Sequence, residues 1–332
     1  MKALKFLVIG CGSIGERHIK NLLALGVKNI IAYDPNRERM ELIRTKYGVK
    51  IEGGLDSALE KELDAALVCT PPVTHVPLAK RALDVGLNVF VEKPISHTMN
   101  GVDELIETAR KRRLVLAVGY NFKFHPGMRR VKKILEKGYI GRVMWGRAIV
   151  GQYLPDWRPW QDYRNSYTAR REMGGGIILD GSHEIDYMRW FMGEVESVVC
   201  FAGRLSSLEV DVEDSADVLM KHAGGRMSNV HMDFIRRDYF RACEIVGEEG
   251  TVRWSFPSGT VEVFSAKTKK WRTVYNGCDP NTMYVEEMKH FIRCVEGRET
   301  PLVDGAEGRR TLEVALAAKE SAASGRTVKV SE

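Results

Sequence analysis

The chain opens on a short apolar run, Leu4 to Ile9, that leads directly into Gly10, Gly12 and Gly15 and then into an amphipathic stretch. That order reads as strand, tight turn and helix, the start of a parallel sheet with crossover helices. Each glycine has its own reason. Gly10 suits the turn, Gly12 lets backbone approach a pyrophosphate, and Gly15 lets the helix pack close to the strand. Phosphate would rest on the helix N-terminus at Ser13 and Ile14, where unpaired N–H groups and the macrodipole favour negative charge.

The next residues support a dinucleotide site. Ile14, Ile19, Leu22, Leu23 and Leu25 recur at helical spacing, Gly26 stops the helix, and Asn29 to Tyr33 form a second apolar run ending at Asp34. Asp34 lies about 20 residues beyond the glycines, where an acidic side chain accepts a ribose 2′-hydroxyl. The same residue also suits a turn begun with Pro35 and Asn36. A carboxylate there repels the 2′-phosphate of NADP, so NAD is the expected cofactor, a preference that Arg37 and Arg39 weaken by their charge.

At 332 residues the chain exceeds the usual size of one core, and its 44% hydrophobic residues are ample for two. The net charge of +6 is spread among acidic and basic residues without a long basic run. That pattern disfavours nucleic acid and tolerates anionic small molecules. Cys11, Cys69, Cys200, Cys243, Cys278 and Cys294 form no CxxC pair. They read as reduced, mostly buried thiols of a cytoplasmic protein, with no metal pattern. The apolar run before Cys11 is too short for a secretory signal, and no stretch approaches the ~18 apolar residues of a membrane span.

The first third alternates strand and helix. Strands are expected at Ala65 to Val68, Asn88 to Val91 and Leu114 to Val118, with helices at His75 to Val85 and Asn100 to Arg113. The rhythm changes after residue 121. A helix at Pro126 to Lys137, a strand at Val143 to Val150, an irregular Trp, Pro and Arg rich segment and a helix at Glu184 to Met192 follow. Strands including Ser215 to Lys221, Met227 to Phe234, Ala242 to Gly247 and Thr260 to Phe264 then suggest an open, mostly antiparallel sheet. Helices at Tyr284 to Cys294 and Ala306 to Ala323 close the chain. The expected class is α/β. Residues 1–121 form a doubly wound parallel sheet, and 122–332 form a second α/β domain whose last helix can pack back on the first.

Ligands of an open parallel sheet sit beyond the carboxyl ends of its strands. One such end carries Thr70, Pro71, Pro72 and His75, a stiff loop suited to a wall beside a nicotinamide. Another carries Glu92, Lys93 and Pro94. Lys93 there can donate to a hydroxyl or to the cofactor, and equally suits a surface lysine before a turn. The last expected strand ends in Tyr120 and Asn121. Farther on, Gly174 to Gly176 precede Asp180, His183 and Asp186, whose spacing suits one polar stripe on a helix. Histidine titrates near neutrality and suits removal of a hydroxyl proton, although a helix histidine is as readily structural.

In order and spacing, the Gly10 to Gly15 loop, the Thr70 to His75 loop, Glu92 to Pro94, Gly119 to Asn121 and the glycines before His183 resemble the Gfo/Idh/MocA oxidoreductase family over nearly the whole chain. The resemblance implies a Rossmann domain that carries NAD or NADP and a second domain that carries a sugar, cyclitol or sugar nucleotide and the subunit contacts. It implies a homo-oligomer, a dimer or tetramer, and hydride transfer at a hydroxyl or keto carbon. For Lys93 and His183 it implies a catalytic pair, the lysine polarising the reacting oxygen and the histidine moving its proton. It places Gly10, Gly12, Ser13, Ile14, Gly15, Asp34, Arg37, Thr70, Pro71, Pro72, His75, Glu92, Lys93 and Asn121 at the cofactor. Tyr120, Asn121, Trp157, Arg158, Tyr163, Arg170 and His183 are expected at the substrate.

One departure stands out. Many sugar dehydrogenases of the family carry an acidic or amide residue four positions before the histidine, whereas Leu179 stands there and Asp180 lies three before His183. Asp180 is therefore a weaker candidate for orienting the base. The segment from Tyr153 to Arg171 is similar to a branch found in surface-polysaccharide and sugar-nucleotide pathways; its arginines and aromatics suit phosphate and sugar, or a loop pinned by buried rings. Two other functions share this fold: a sensor that binds dinucleotide and sugar without turnover, and a glycosidase that uses NAD transiently.

Overall fold

Residues 4–277 and 279–330 are described in a computed structural model of the chain, which leaves Cys278 outside the described residues. The chain divides into two compact units, residues up to 121 with 283–310, and residues 122–282 with those from 311 on.

In the first unit the elements run β1 (Lys5–Ile9), α1 (Ser13–Ala24), β2 (Asn29–Tyr33), α2 (Arg37–Tyr47), β3 (Lys50–Ile51), α3 (Leu55–Leu59), β4 (Ala65–Val68), α4 (His75–Asp84), β5 (Asn88–Glu92), α5 (Val102–Arg112) and β6 (Leu116–Gly119). The strands form a six-stranded parallel sheet in the order β3-β2-β1-β4-β5-β6. Phe6 to Ile9 and Ala65 to Val68 are buried on both sheet faces, which is why they read as unbroken apolar runs. The order reverses between β1 and β4, so the crevice for a ligand opens beyond those two strand ends. β3 is too short to carry a periodicity, and the sequence reading passed over it.

The unit also takes chain from beyond residue 282. In the helix Thr282–Val295, Met288 and Phe291 are buried in the cluster that holds Phe6, Ile19 and Phe90. The Phe291 ring centroid lies 5.5 Å from that of Phe90 and 6.3 Å from that of Phe6. Residues 283–310 thus fall with the first unit: an amphipathic helix shows that it needs a partner, not which sheet supplies it. Val118 donates its N–H to the Val303 carbonyl at 2.9 Å, and Gly308 lies against Val118.

The second unit contributes α6 (Pro126–Glu136), β7 (Val143–Gly151), α7 (Leu154–Trp157), α8 (Ile177–Asp180), α9 (Ser182–Met192), β8 (Val195–Gly203), β9 (Ser215–His222), β10 (Met227–Asp233), β11 (Phe240–Gly247), β12 (Gly250–Ser255), β13 (Thr260–Ser265), β14 (Lys270–Asn276) and β15 (Val328–Lys329). The Thr282–Val295 helix is α10, and α11 spans Gly305–Ser324. The nine-stranded sheet runs β14-β13-β12-β11-β7-β10-β9-β8-β15, antiparallel except for the β7/β10 pair. β9 alternates buried and exposed residues along its length, so one sheet face is packed and the other meets solvent. On the open face, register places Arg147, Glu244, Arg253 and Glu262 side by side across four strands. Phe201, Leu219 and Met227 occupy the other half of that face and are 78%, 55% and 60% exposed.

His125 caps α6: its Nδ1 accepts the Gly127 N–H at 3.0 Å among the rings of Phe122, Trp254 and Phe256. Burial pushes its pKa down to about 4 from 6.5. The unfolded chain then binds a proton that the fold refuses. The contribution of His125 to stability is complete above pH 6.5 and is lost as pH falls towards 4. Burial lowers His75 and His222 as well, which adds a loss of the same sign. His125→Asn keeps a short capping acceptor. Its unfolding free energy, from urea titrations across this range, is expected to depend on pH less steeply than the parent's, by up to about 1.4 kcal/mol per pH unit.

Candidate active site

The three glycines of the first loop do different work. Gly10 has φ +96°, and a Cβ there would lie 2.7 Å from the Cys69 carbonyl oxygen. A Cβ at Gly15 would run into the Gly10 carbonyl oxygen. At Gly12 a Cβ would meet nothing within 4 Å. Two glycines are therefore required by the fold, while Gly12 leaves open space at the N-terminus of α1, as a phosphate group requires. Ser13 is exposed and Ile14 half-buried in the first turn of that helix.

Asp34 follows β2 and grips the same loop. Its Oδ2 accepts the Cys11 N–H at 2.7 Å, and its Oδ1 accepts the Asn36 N–H at 2.8 Å. Arg37 is exposed in the first turn of α2. Arg39 reaches the glycine loop: its Nη2 and Nε donate to the Cys11 carbonyl at 2.6 and 2.9 Å. The same guanidinium is ion-paired to Glu16 at 3.0 Å. Burial raises the Glu16 carboxyl, but hydrogen bonds from Lys46, Tyr47 and Arg39 outweigh it and hold the pKa below its usual value. The charge of Arg39 is thus already engaged, while Asp34 stays half-buried beside the loop.

The loop after β4 keeps Thr70 and Pro71 half-exposed and Pro72 buried. His75, expected against the cofactor, is 1% exposed and serves as a brace. Its Nδ1 lies 2.8 Å from the Pro94 carbonyl oxygen and its Nε2 2.7 Å from that of Thr70. Tyr120 and Asn121 are likewise buried, at 0% and 2% exposed. A place at a strand end does not tell which way the side chain turns. Glu92 and Lys93 at the end of β5 are half-exposed. Glu92 Oε1 lies 2.7 Å from Nε2 of His18, and its Oε2 accepts the Lys93 N–H at 3.2 Å.

In the second unit Gly181 interrupts the expected polar stripe. Asp180 ends α8, His183 stands in the first turn of α9, and Asp186 lies one turn on. Asp180 accepts a 2.8 Å hydrogen bond from the Tyr167 hydroxyl. Asp186 is ion-paired at 3.0 Å to Lys123, both side chains buried, and accepts from the Thr311 hydroxyl at 3.1 Å. Burial raises the Asp186 carboxyl, opposed by Lys123 and Arg189. His183 remains half-exposed. Its ring meets that of Phe122 edge-on at 5.1 Å, and the Arg241 guanidinium covers Phe122 at 4.5 Å. Arg241 is paired at 2.7 Å to Glu184, which is fully buried beside His183.

The Trp and Arg rich segment is pinned largely to its own unit. Trp157 donates Nε1–H to the Gln152 carbonyl and meets Phe234 edge-on at 5.3 Å. Tyr163 accepts the Glu209 N–H at 3.2 Å, and Arg170 donates to the Arg164 carbonyl at 2.7 Å. Arg158 is half-buried and Trp160 is 74% exposed. Sequence pattern does not single out His18, Glu184 or Arg241, and it offers Lys123 and Tyr167 only as members of longer runs. Of the first three, only His18 left a local trace, on the buried face of α1 one turn beyond Gly15.

The described thiols are buried, and burial raises the pKa of Cys11 and Cys200 to about 12 and that of Cys294 to about 11. Among the described residues no His, Cys, Asp and Glu group could hold a metal ion, and no helix is long and apolar enough to cross a membrane.

A family profile described as the oxidoreductase family, NAD-binding Rossmann fold, matches residues 4–120, and one described as the GFO/IDH/MocA C-terminal domain matches residues 128–253. The chain is 30% identical to the myo-inositol 2-dehydrogenase of Thermotoga maritima, over 98% of each. It is 26% identical to the scyllo-inositol 2-dehydrogenase (NAD(+)) of Bacillus subtilis, over 97% of this chain and 95% of that one. The crystal structure of GenD2 from gentamicin A biosynthesis in complex with NAD superposes with a TM-score of 0.86 at 25% identity, covering 100% of this chain and 97% of that one.

The glycine contacts separate folding from ligand approach. Gly15→Ala is expected to lower the unfolding free energy by about 2–4 kcal/mol, and Gly12→Ala to change it by about 0.5 kcal/mol or less. Gly12→Ala should nonetheless weaken NAD binding at least about tenfold, or about 1.4 kcal/mol, because its methyl group would occupy the open space a phosphate needs. Urea unfolding and calorimetry of the two variants check both; full NAD affinity in Gly12→Ala would remove the loop from the cofactor.

Proposed function

Because the chain belongs to the Gfo/Idh/MocA oxidoreductase family, with an NAD-binding Rossmann fold in its first unit, we propose that it oxidises or reduces a hydroxyl-bearing carbon of a sugar, cyclitol or sugar nucleotide. Relatives named inositol 2-dehydrogenases support the substrate class. The observation that carries the reading is the glycine loop: Gly12 faces open space beside Asp34, while Gly10 and Gly15 are locked by contacts.

Bound NAD supplies the hydride acceptor. The loop N–H groups and the start of α1 would hold its pyrophosphate. Asp34 would accept from the adenosine ribose, and its charge, with Arg39 committed to Glu16, favours NAD over NADP. Thr70 and Pro71 would line the nicotinamide half. Lys93 donates to the reacting oxygen and stabilises negative charge as it develops. His183 takes the hydroxyl proton. Phe122 fixes the plane of the imidazole from one side. Asp180, held by Tyr167, supports the helix entry, and Arg158 and Arg170 suit an anionic group on the sugar.

The thiols, buried and none disulfide-bonded among the described residues, fit a reducing compartment, the cytoplasm. We assign the subunit contact of a homo-oligomer to the open face of the nine-stranded sheet around Phe201, Leu219 and Met227. Light scattering should then give the mass of a dimer or tetramer; a monomeric mass removes this assignment.

His183→Ala and Lys93→Met should each lower turnover by about 10²-fold or more, and His183→Ala should leave NAD affinity within about threefold. Both are read by mixing protein and NAD with free sugars, cyclitols and nucleotide sugars while following reduced-nicotinamide fluorescence. Parental turnover in either variant defeats the role of that residue. Tighter binding of NADP than NAD in the same titrations overturns the role of Asp34.

A further inference from the structure

The carboxylate of Glu92 is engaged on both oxygens at the point where β5 delivers Lys93. Oε1 lies 2.7 Å from Nε2 of His18, and Oε2 accepts the Lys93 N–H at 3.2 Å. A carboxylate facing a ring nitrogen can only accept, so Nε2 of His18 carries the hydrogen. His18 is 0% exposed, and its ring stands edge-on to Phe90 at 5.3 Å and to Tyr284 at 6.4 Å. It is held in one orientation, aimed at Glu92. The next strand is shaped around the same carboxylate: a Cβ at Gly119 would lie 3.1 Å from Glu92 Oε2 and 3.1 Å from Phe90 Cζ.

His18 belongs to α1, one turn beyond Gly15, and so it is placed by the glycine loop. Glu92 joins that helix to the backbone of Lys93. Burying a hydrogen-bonded polar pair yields little net stability. The pair gives direction instead.

We propose that His18 is a positioning residue which, through Glu92, fixes the strand end that presents Lys93, so that the helix holding the cofactor phosphates also sets the lysine. This rests on the assignment of Lys93 above. It recasts Glu92 as a support for Lys93 in place of a cofactor contact.

The test needs no substrate. The full chain is acetylated with acetic anhydride, and peptide mass spectrometry gives the rate at Lys93 relative to the exposed Lys20. Members of one hydrogen-bond network couple strongly enough that His18→Leu should change this ratio by about threefold or more. His18→Gln, which keeps a donor at the same reach, should restore it. Gly119→Ala, which crowds Glu92 with His18 intact, should shift it as well. Calorimetry with NAD shows which variants are folded. The proposal is overturned if folded His18→Leu keeps the parental ratio, or if His18→Gln, folded, fails to restore it, which would make the ring a packing element only. Should His18→Leu not fold, the Gly119→Ala ratio decides: a shift supports the linkage and a parental value overturns it. Turnover by Lys93→Met is a separate readout. Its persistence would end the catalytic role of Lys93 and leave the labelling result to stand by itself.

Discussion

The close approach of Gly15 to the Gly10 carbonyl sets the geometry on which the first unit depends. With no side chain between them, α1 settles against the loop and against Cys69 at the end of β4. That seat decides what the rest of the helix can touch. Glu16 comes within reach of Arg39, Lys46 and Tyr47, and His18 within reach of Glu92. Ile19 and Leu22 enter the core beside Phe6 and Phe90. A helix one methyl group higher would forfeit these contacts together, because close-packed interiors relax only in part.

In the second unit the corresponding constraint is electrostatic. Two buried ion pairs flank the first turns of α9: Glu184 with Arg241 from β11, and Asp186 with Lys123 from the loop before α6. Desolvation takes back most of the attraction in such pairs, whereas removal of a single partner costs about 3–5 kcal/mol. Their effect is therefore orientation. Arg241 reaches past Glu184 to cover Phe122, and Phe122 in turn meets the imidazole of His183. The rotation of α9 about its axis is fixed by charges one residue and three residues after the histidine.

Local sequence carried the first unit further than the second for a physical reason. Parallel strands buried on both faces are unbroken apolar runs, and a loop that needs φ near +96° at Gly10 announces itself. In the second sheet, β9 and β10 alternate and were readable, while the edge strand β14, almost wholly exposed, carries no alternation and was not. Residue type and place along the chain make Lys93, His183 and Asp34 candidates, and all three stay half-buried. His75 and Tyr120 were named by the same logic and turned inward, since strand ends fix position and not direction. His18 with Glu92 and Glu184 with Arg241 depend on contacts between residues 74 and 57 positions apart, which no window along the chain contains.

The break at Gly181 separates Asp180 from His183. Had Asp180 and His183 shared an unbroken helix, both would point along one face. Instead α8 closes at Asp180, and Gly181 fits where a Cβ would lie 2.8 Å from the Ile177 carbonyl oxygen and would crowd Met232. The carboxylate of Asp180 then finds the Tyr167 hydroxyl, whose own pKa burial and the neighbouring negative charge drive well up, so the phenol stays a donor throughout the physiological range. The segment thus ties Asp180 to the loop bearing Tyr167, while the ring of His183 packs edge-on against Phe122.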